Sequence, residues 1–272
     1  MELKSKTVLI TGGSSGIGQA CARRMASQGA RLVLTGRSRD ALENVARTLT
    51  STEIITIPAD LRDPVQIDML CETALGRFPT IDILVNSAGV GLIGPAYEVS
   101  PENVRHLFEV NVLAPIELVR RLVPAMPRGG VIVNISSLSA KIVFPGYSVY
   151  TASKLALSGF SAGLRMELRR KGIHVLDVCP GVVDTPFLSR LLQGHGPKNV
   201  KGQRFFRVTA DRCAAAILDG LRRNRRTLVI PWTGWILVGL VRVCPRLTYG
   251  WIKKMAQTTA RSRKLPDNSG TS

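Results

Sequence analysis

Short β-branched apolar runs alternate with longer segments of helical periodicity up to about residue 180. The apolar runs predict six buried strands, at Thr7–Ile10, Arg31–Thr35, Ile54–Pro58, Ile81–Val85, Val131–Ile135 and His174–Val178. The segments between them predict helices, at Gly16–Gln28, Asp40–Thr50, Pro64–Arg77, Pro101–Pro124 and Tyr150–Lys171. Two helix starts are marked by a capping side chain before proline, at Asp63-Pro64 and Ser100-Pro101.

This alternation predicts an α/β fold with a single doubly wound parallel sheet and helices on both faces. Right-handed crossovers give such a Rossmann-like sheet a ligand cleft beyond the carboxyl ends of its strands. Residues 1–226 are assigned to this domain, and Thr227–Ile230 is a candidate seventh strand. Residues 227–264 are expected to form a basic and apolar C-terminal extension packed on or next to the domain. Residues 265–272 are expected to be a frayed tail.

Composition fits one large α/β domain and excludes a wholly disordered chain, since 45% of the 272 residues are apolar. The five cysteines are scattered without metal-ligand spacing, so reduced thiols in a cytoplasmic protein are expected. The polar start is not followed by a long apolar stretch, which argues against a cleaved signal peptide. The histidines lie in different segments and predict no metal site: His106, His174 and His195.

The net charge of +18 is concentrated near the C-terminus. Between Lys198 and Lys264 the chain has 16 of its 37 basic residues but only 2 of its 19 acidic ones, a net charge of +14. This excess of basic residues therefore bears on what the C-terminal quarter of the chain binds and not on the fold.

A glycine-rich turn follows the first predicted strand and opens the first predicted helix, reading Thr11-Gly12-Gly13-Ser14-Ser15-Gly16-Ile17-Gly18. Glycines let the backbone turn tightly and approach a pyrophosphate, and the helix N-terminus offers free N–H groups to an anion. The strand–turn–helix context predicts a dinucleotide site.

The end of the second predicted strand bears on the choice of cofactor. NAD would favour a carboxylate there to accept hydrogen bonds from the ribose hydroxyls, whereas the sequence has Arg37, a cation suited to a 2′-phosphate. NADP(H) is therefore the expected cofactor, with NAD(H) as the alternative.

Six features resemble motifs of the short-chain dehydrogenase/reductase family, in order and at suitable spacing. The glycine turn resembles the family's TGxxxGxG loop, and Asp60-Leu61 its adenine-contacting pair. Asn86-Ser87-Ala88-Gly89 is similar to its NNAG motif, with Ser87 in place of the second asparagine. The other features are Asn111 at the helix asparagine, Ser137 thirteen residues before Tyr150, the YxxxK pattern of Tyr150 and Lys154, and a PG…T segment at Pro180-Gly181 and Thr185. The resemblance covers Lys6 to Thr185, roughly two-thirds of the chain.

The resemblance implies two sets of site residues. The implied cofactor-binding residues are Gly12, Ser14, Ser15, Gly16, Ile17, Gly18, Arg37, Asp60, Leu61, Asn86, Ala88, Gly89, Tyr150, Lys154, Pro180, Gly181, Val183 and Thr185. The implied catalytic residues are Asn111, Ser137, Tyr150 and Lys154, with Asn111 locating a water that links Lys154 to solvent. Family members form homodimers or homotetramers, which implies an interface through the helices predicted at Pro101–Pro124 and Tyr150–Lys171.

The residue types themselves suit proton transfer beside a hydride carrier. Tyr150 and Lys154 are four residues apart and share a helix face. A phenol with a pKa of about 10 is a poor base near neutrality, so the ammonium and a positive nicotinamide ring are expected to lower the pKa of Tyr150. Tyr150 can then donate a proton to a carbonyl or accept one from an alcohol. Ser137 can hydrogen-bond the same oxygen; Ser136 is its rival, and spacing from Tyr150 favours Ser137.

The C-terminal quarter contains a segment expected to contact the substrate and a segment expected to contact a membrane or a partner protein. Phe187–Gly196 is expected to cover the active site, with Leu188, Leu191 and Leu192 either forming an apolar lid or packing internally. The dense apolar run Trp232–Val243 is interrupted before it could span a membrane. Its tryptophans interleave with basic residues, which favours a peripheral membrane contact. An acidic carrier protein and a subunit interface are the alternatives; nucleic acid is not expected.

The sequence therefore predicts an NADP(H)-preferring oxidoreductase that transfers a hydride between nicotinamide and the carbonyl or secondary alcohol of a hydrophobic or lipid-like substrate. A 3-oxoacyl-carrier-protein reductase is the alternative enzyme. A non-catalytic nucleotide-sensing protein is the alternative of another class, and it predicts loss of the Ser-Tyr-Lys set, which is present in full.

Overall fold

A seven-stranded parallel sheet forms the centre of the protein. The computed structural model describes residues 2–49, 53–194 and 207–252. Within them the sheet strands are β1 (Thr7–Thr11), β2 (Arg31–Gly36), β3 (Ile54–Pro58), β4 (Ile83–Asn86), β5 (Val131–Ile135), β6 (His174–Pro180) and β9 (Thr227–Ile230). Their order is β3-β2-β1-β4-β5-β6-β9, with every pairing parallel. The predicted doubly wound α/β fold is confirmed.

Helices cover both faces of this sheet. Their bounds are α1 (Gly16–Ala26), α2 (Arg39–Arg47), α3 (Pro64–Arg77), α4 (Pro101–Phe108), α5 (Ala114–Leu122), α6 (Ser148–Glu167), α7 (Ala210–Arg222) and α8 (Gly234–Val243). The buried faces of α1, α2 and α7 share one apolar core with the sheet. Those of α3, α5 and α6 share a second core on the opposite face. The sheet is thus buried on both sides, which explains its continuous β-branched runs.

The strand order places a ligand cleft at one known edge. The chain moves from β1 outward to β3 and then returns to β4, so the direction of winding reverses between β1 and β4. In such sheets the loops beyond the carboxyl ends of the two strands diverge and leave a crevice. The glycine turn after β1 and the Asn86–Gly89 segment after β4 meet there.

One predicted helix is interrupted. Pro101–Pro124 was expected to be continuous, but five residues between α4 and α5, Glu109–Leu113, form a π-helical turn. Pro115 lies four residues beyond Asn111 and has no N–H with which to donate to the Asn111 carbonyl. The wider π-helical turn provides hydrogen bonds for the backbone groups of this stretch without that N–H. Such turns are frequent at functional sites.

Helix α7 was not among the predicted elements. Its buried residues recur at helical spacing, at Cys213, Ala214, Ile217, Leu218 and Leu221. The Thr209 side chain caps its first turn by accepting from the Arg212 N–H at 3.2 Å. Helix α7 packs against α1 and β9. The apolar periodicity and the capping threonine were both available in the sequence as signals.

The sheet continues past residue 226, the expected end of the main domain. Strand β9 begins at Thr227 and pairs with β6 from Asp177–Thr227 to Pro180–Ile230. Two short strands, β7 (Val182–Asp184) and β8 (Arg207–Thr209), pair in a separate ribbon. The expected frayed tail, residues 265–272, lies outside the described residues. Among those the structure does describe, no helix is long and apolar enough to cross a bilayer.

Candidate active site

The glycine turn is packed so tightly that side chains are excluded from it. Gly12 has a φ of +65°, and a Cβ there would lie 3.0 Å from the Ala88 backbone. A Cβ on Gly18 would lie 2.3 Å from the Gly12 carbonyl oxygen. Both obstacles are backbone, so the close approach of β1, α1 and the β4 loop depends on glycine. The turn lines a cavity in the cleft beyond β1 and β4. Gly18 is not part of that lining, but it shapes the turn that is.

Side-chain hydrogen bonds fix the loop after β4 against the glycine turn. The Thr11 hydroxyl accepts from the backbone N–H groups of Ser87 at 3.0 Å and Ala88 at 2.9 Å. Asn86 donates to the Asn134 side chain at 2.8 Å between β4 and β5. Asn86 is therefore buried within the sheet and does not line the cavity, although the resemblance placed it among the cofactor-binding residues.

The N-terminus of α1 faces this cavity. Ser15 occupies its N-cap position, but its side chain makes no capping hydrogen bond. The first-turn N–H groups are thereby left to an anionic ligand, as at other phosphate-binding helix starts. Ser14, Ser15, Gly16 and Ile17 all line the cavity beside Gly12. A cradle from which Cβ atoms are excluded, next to uncapped N–H groups, fits the pyrophosphate of a nicotinamide dinucleotide.

Ser137, Tyr150 and Lys154 lie together on the wall of a single cavity of about 1000 Å³. Lys154 Nζ is 5.9 Å from the Tyr150 ring centroid and donates to the Ile135 carbonyl at 3.1 Å. A Cβ on Gly89 would lie 3.2 Å from Asn111 Oδ1 and 3.3 Å from Lys154 Nζ, so this amine passes close to the loop after β4. The helix spacing read from the sequence thus places phenol and amine on one face of α6.

The pKa values of these two groups depend mainly on burial. Burial raises the pKa of the Tyr150 phenol to about 12, and hydrogen bonding with Ser137 opposes the rise. Burial lowers the pKa of Lys154 to about 8, and the Asp177 carboxylate opposes that fall. In the protein alone, desolvation of the phenol is the largest cause of the shift, and the expected lowering by Lys154 together with a positive nicotinamide ring stays a prediction. Tyr150 keeps its proton near neutrality, which suits donation to a carbonyl oxygen.

Ser136 and Ser137 point to different partners. The Ser136 hydroxyl donates to Asp177 Oδ1 at 2.5 Å and to the Val178 carbonyl at 2.8 Å. Ser137 instead interacts with the Tyr150 phenol and accepts from the Ser139 N–H at 3.1 Å. Of the two, Ser137 is therefore placed to bind an oxygen that also contacts Tyr150.

Asn111 is fully buried in the π-helical turn. Its side-chain amide accepts from the Val90 N–H at 2.9 Å and donates to the Val90 carbonyl at 3.0 Å and to Ser153 Oγ at 3.1 Å. It therefore fastens the loop after β4 to α6 one residue before Lys154. The side chain does not line the cavity.

The far end of the cavity suits an adenosine. Arg37, Asp60 and Leu61 line it after β2 and β3, as the motifs implied. The Arg62 guanidinium binds Asp60 through both carboxylate oxygens and holds the pKa of Asp60 below its usual range. His106 of α4 also lines this end. Burial lowers the pKa of His106, and Arg62 and Arg37 add to the effect, so a neutral imidazole faces this end of the cavity. No sequence motif marked His106; only the packing of α4 brings it there.

The opposite end is apolar. Pro180, Gly181, Val183 and Thr185 line the cavity after β6, next to Tyr150. Beyond them the wall consists of apolar side chains from several segments: Ile93, Leu138, Phe144, Phe187, Leu237 and Trp251. The Phe187 ring centroid is 6.1 Å from that of Tyr150. The apolar end of the cavity is therefore formed by residues distant in sequence, including Leu237 of α8 and Trp251 in the helical residues 245–252.

The segment expected to cover the site divides into two parts. Leu188 lines the cavity, whereas Leu192 packs with Leu107 and Tyr150 and its N–H donates to the Gly91 carbonyl at 2.9 Å. The Gln193 side chain donates to the Glu98 carbonyl at 2.9 Å, which ties the segment to the neighbouring loop. Residues 195 and 196, the end of the expected lid, lie outside the described part of the chain.

A family model for short chain dehydrogenases matches residues 6–195, more than half of the chain. The chain belongs to the short-chain dehydrogenase/reductase family. It is 35% identical to the 1-deoxy-11-beta-hydroxypentalenate dehydrogenase of Streptomyces exfoliatus, over 83% of this chain and 82% of that protein.

Solved structures of the family share the fold. A short-chain dehydrogenase/reductase from Burkholderia phymatum in complex with NAD matches with a TM-score of 0.81 and 26% identity, over 91% of this chain and 96% of that one. A short chain dehydrogenase from Burkholderia cenocepacia in complex with NADP matches with a TM-score of 0.76 and 31% identity, over 85% and 98%. Membership of the short-chain dehydrogenase/reductase family makes this protein an NAD(P)-dependent oxidoreductase acting on alcohol and ketone groups.

Proposed function

We propose that the protein is an NADP(H)-preferring carbonyl reductase or alcohol dehydrogenase for hydrophobic or lipid-like substrates. One observation supports this most directly: the uncapped helix start, the Ser137–Tyr150–Lys154 group and an apolar wall share one cavity. A ligand that spans the cavity from Gly12 to Tyr150 leaves the apolar end for a second molecule. The shape therefore suits a dinucleotide and an apolar substrate side by side.

The catalytic roles follow from the hydrogen-bonding capacity of each group. Ser137 and Tyr150 donate to the carbonyl oxygen, and Tyr150 transfers its proton to that oxygen as negative charge develops there. Lys154 supplies positive charge beside Tyr150 and binds the ribose hydroxyls. Asn111 holds the loop that shapes this end of the cavity, and the family resemblance assigns it a water that would link Lys154 to solvent. A bound nicotinamide supplies or accepts the hydride.

A spectrophotometric assay tests this function. We expect consumption of NADPH, followed by its absorbance, with a panel of cyclic and long-chain ketones. Small polar ketones should react poorly because they leave the wall of Leu138, Phe144 and Leu237 unfilled. An active panel confined to charged or polar carbonyls would contradict the proposed substrate class. Acyl-carrier-protein thioesters belong in the panel as the alternative substrate.

Arg37 is proposed to select NADP(H) through the 2′-phosphate. It is exposed at the adenosine end of the cavity, where Asp60 is already engaged by Arg62. We expect Arg37→Glu to raise the KM for NADPH by roughly 10- to 100-fold, because a bidentate charged hydrogen bond becomes a repulsion. The KM for NADH should stay the same or fall. Steady-state kinetics with both cofactors measure the change.

Arg39 provides the matched control for this prediction. It is also exposed, lies two residues further along the chain and does not line the cavity. Arg39→Glu makes the same change in charge and should alter neither KM by more than about twofold, since exposed charges are screened by solvent. If Arg39→Glu changed the NADPH to NADH ratio as much as Arg37→Glu does, general electrostatics would explain the preference and a phosphate contact would not.

We propose that the protein assembles into dimers or tetramers through α4, α5 and α6. Large apolar side chains are exposed on this part of the surface, at Leu113, Leu155 and Met166. An isologous interface would bury all three in each copy. Multi-angle light scattering at micromolar concentration tests this assembly.

The C-terminal helices present a second exposed apolar surface, which we propose contacts an anionic membrane. Helix α8 buries Leu237, Val238 and Val241 against Leu138 and Ile142, yet its opposite side is also apolar. We define the C-terminal apolar surface by its exposed residues: Trp232, Ile236, Leu240, Val243, Leu247 and Trp251. Arg242 and Arg246 are exposed between them. Tryptophan and arginine side by side on a helix suit the headgroup region of a bilayer.

Flotation with liposomes tests this contact. We expect the protein to float with vesicles of phosphatidylcholine and phosphatidylglycerol, and much less with phosphatidylcholine alone. Replacing Trp232, Val243 and Leu247 by glutamine should lower the floating fraction about tenfold or more, because each loses apolar contact area. Val65→Gln with Met69→Gln, on the exposed side of α3, is the control and should float as the unaltered protein does. Equal flotation of the two variants would favour a carrier protein or a subunit interface instead.

A further inference from the structure

Asp177 is a buried carboxylate close to the active site but outside it. It lies in β6 with a relative exposure of 2% and does not line the cavity. A buried charge is costly unless it is paired and hydrogen-bonded. An apolar side chain would be expected at this position, since Leu176 and Val178 on either side of it are core residues.

Both carboxylate oxygens of Asp177 are bound by side chains from other elements. Oδ1 accepts from Ser136 Oγ at 2.5 Å. Oδ2 accepts from Ser158 Oγ at 2.6 Å and from Lys141 Nζ at 3.3 Å. Lys141 also donates to Ser158 at 2.8 Å, which closes the network. The charged and titratable groups around this carboxylate are Lys141, Lys154, Arg165 and the Cys179 thiol.

The partners of Asp177 belong to the two segments that carry the proposed catalytic groups. Ser136 immediately precedes Ser137, and Lys141 follows it by four residues. Ser158 lies one helical turn beyond Lys154 and two turns beyond Tyr150 on α6. A single carboxylate therefore connects the loop after β5 to the stripe of α6 that faces the cavity.

We propose that Asp177, together with Lys141, is a positioning residue that fixes Ser137 relative to Tyr150 and Lys154. The inference rests on the proposed roles of those three residues. Misplacement of catalytic groups by about 1 Å costs roughly 100-fold in rate. Loosening the loop should therefore lower kcat and leave the distant cofactor contacts of Gly12 and Arg37 unchanged.

The test compares two buried aspartates. Asp177→Asn removes the charge and keeps the shape; we expect kcat for ketone reduction to fall about 10- to 100-fold, with the KM for NADPH within about twofold. The alkaline fall in kcat should also move to lower pH, because the carboxylate that raises the pKa of Lys154 is gone. Amide hydrogen exchange should become faster at Ser139 and Lys141.

Asp82 is the matched control. It is 6% exposed and binds Lys6 Nζ and the Thr7 N–H, each at 2.9 Å, immediately before β4 at the opposite end of the sheet. Asp82→Asn removes a buried, lysine-paired carboxylate as well, so it should cost comparable stability and change kcat by no more than about threefold. An equal loss of kcat in both variants would mean that Asp177 acts only through stability.

A milder variant keeps the proposal testable if Asp177→Asn folds poorly. Ser158→Ala removes only the helix-side hydrogen bond and should lower kcat about three- to tenfold. When Ser158→Ala is combined with Lys141→Met, kcat should fall by less than the product of the two separate fold-changes, since both substitutions open the same hydrogen-bond network. Unchanged kcat and unchanged exchange at Ser139 in folded Asp177→Asn would overturn the inference. If the unaltered protein reduces no ketone, the proposed function fails, and the exchange data alone decide whether Asp177 holds the loop.

Discussion

Tyr150→Phe should lower kcat for ketone reduction by about 10²- to 10⁴-fold, the range attributed to general acid catalysis. The substitution removes one hydroxyl and keeps the ring, which lies 6.1 Å from Phe187 and 6.4 Å from Tyr147. The fold and the cofactor cradle should therefore persist, and the Kd for NADPH should change by no more than about twofold. Burial raises the pKa of Tyr150 to about 12, so the phenol of the protein alone is protonated near neutrality and can donate to a carbonyl oxygen.

Tyr97 supplies the control for this substitution. It is 87% exposed and does not line the cavity, so Tyr97→Phe removes the same hydroxyl without touching the site. Fluorescence titration with NADPH and single-turnover kinetics separate binding from chemistry. If Tyr150→Phe retained full kcat while Ser137→Ala lost it, another group would have to be the proton donor, and the assignment of Tyr150 would fail.

Lys154→Met should lower kcat by about 100-fold and raise the KM for NADPH by roughly tenfold, because it removes both a positive charge beside the phenol and a proposed hydrogen bond to the ribose. Methionine is similar in length and apolar, so it fits a position that is 4% exposed without leaving a buried charge unpaired. Thermal stability should be unchanged or higher.

The pH dependence of Lys154→Met tests the role of the Lys154 ammonium more directly than the change in kcat does. Burial lowers the pKa of Lys154 to about 8, so in the unaltered enzyme the ammonium is present below that pH and is lost above it. The rate of ketone reduction should therefore fall as the pH rises through about 8. In Lys154→Met this fall should be absent and the residual rate flat. Lys171→Met, an exposed lysine beyond α6, should keep the profile of the unaltered enzyme. A profile in Lys154→Met that still falls near pH 8 would assign the titration to another group.

Much of the fold could be predicted because its signals are local. The strands β1 to β6 are short β-branched runs, and Asp63 and Ser100 cap the helices that follow them, as expected. The glycine turn could be recognised because it lies between a strand and a helix. Tyr150 and Lys154 could be paired because spacing of four residues on a helix fixes a common face.

Other features depended on contacts between distant segments. The interruption of the helix at Asn111 had a local signal in Pro115, but the contacts of the Asn111 side chain with Val90 join separate segments. His106 reaches the adenosine end of the cavity only because α4 packs beside it. The contribution of burial to the pKa of Tyr150 also needed the structure, since sequence spacing reports a neighbouring charge and cannot report the degree of desolvation.

The sequence by itself determined the parallel α/β fold, the glycine turn at the dinucleotide site and the family that six ordered motifs indicate, because each motif and each strand or helix is a local pattern and their order can be read along the chain. Tertiary structure alone decided how burial sets the pKa of phenol and amine, and which C-terminal side chains complete the apolar end of the cavity. It also revealed that Asp177 links the loop of Ser137 to α6. Desolvation and contact between distant segments arise only when the chain is packed, and no local pattern encodes them.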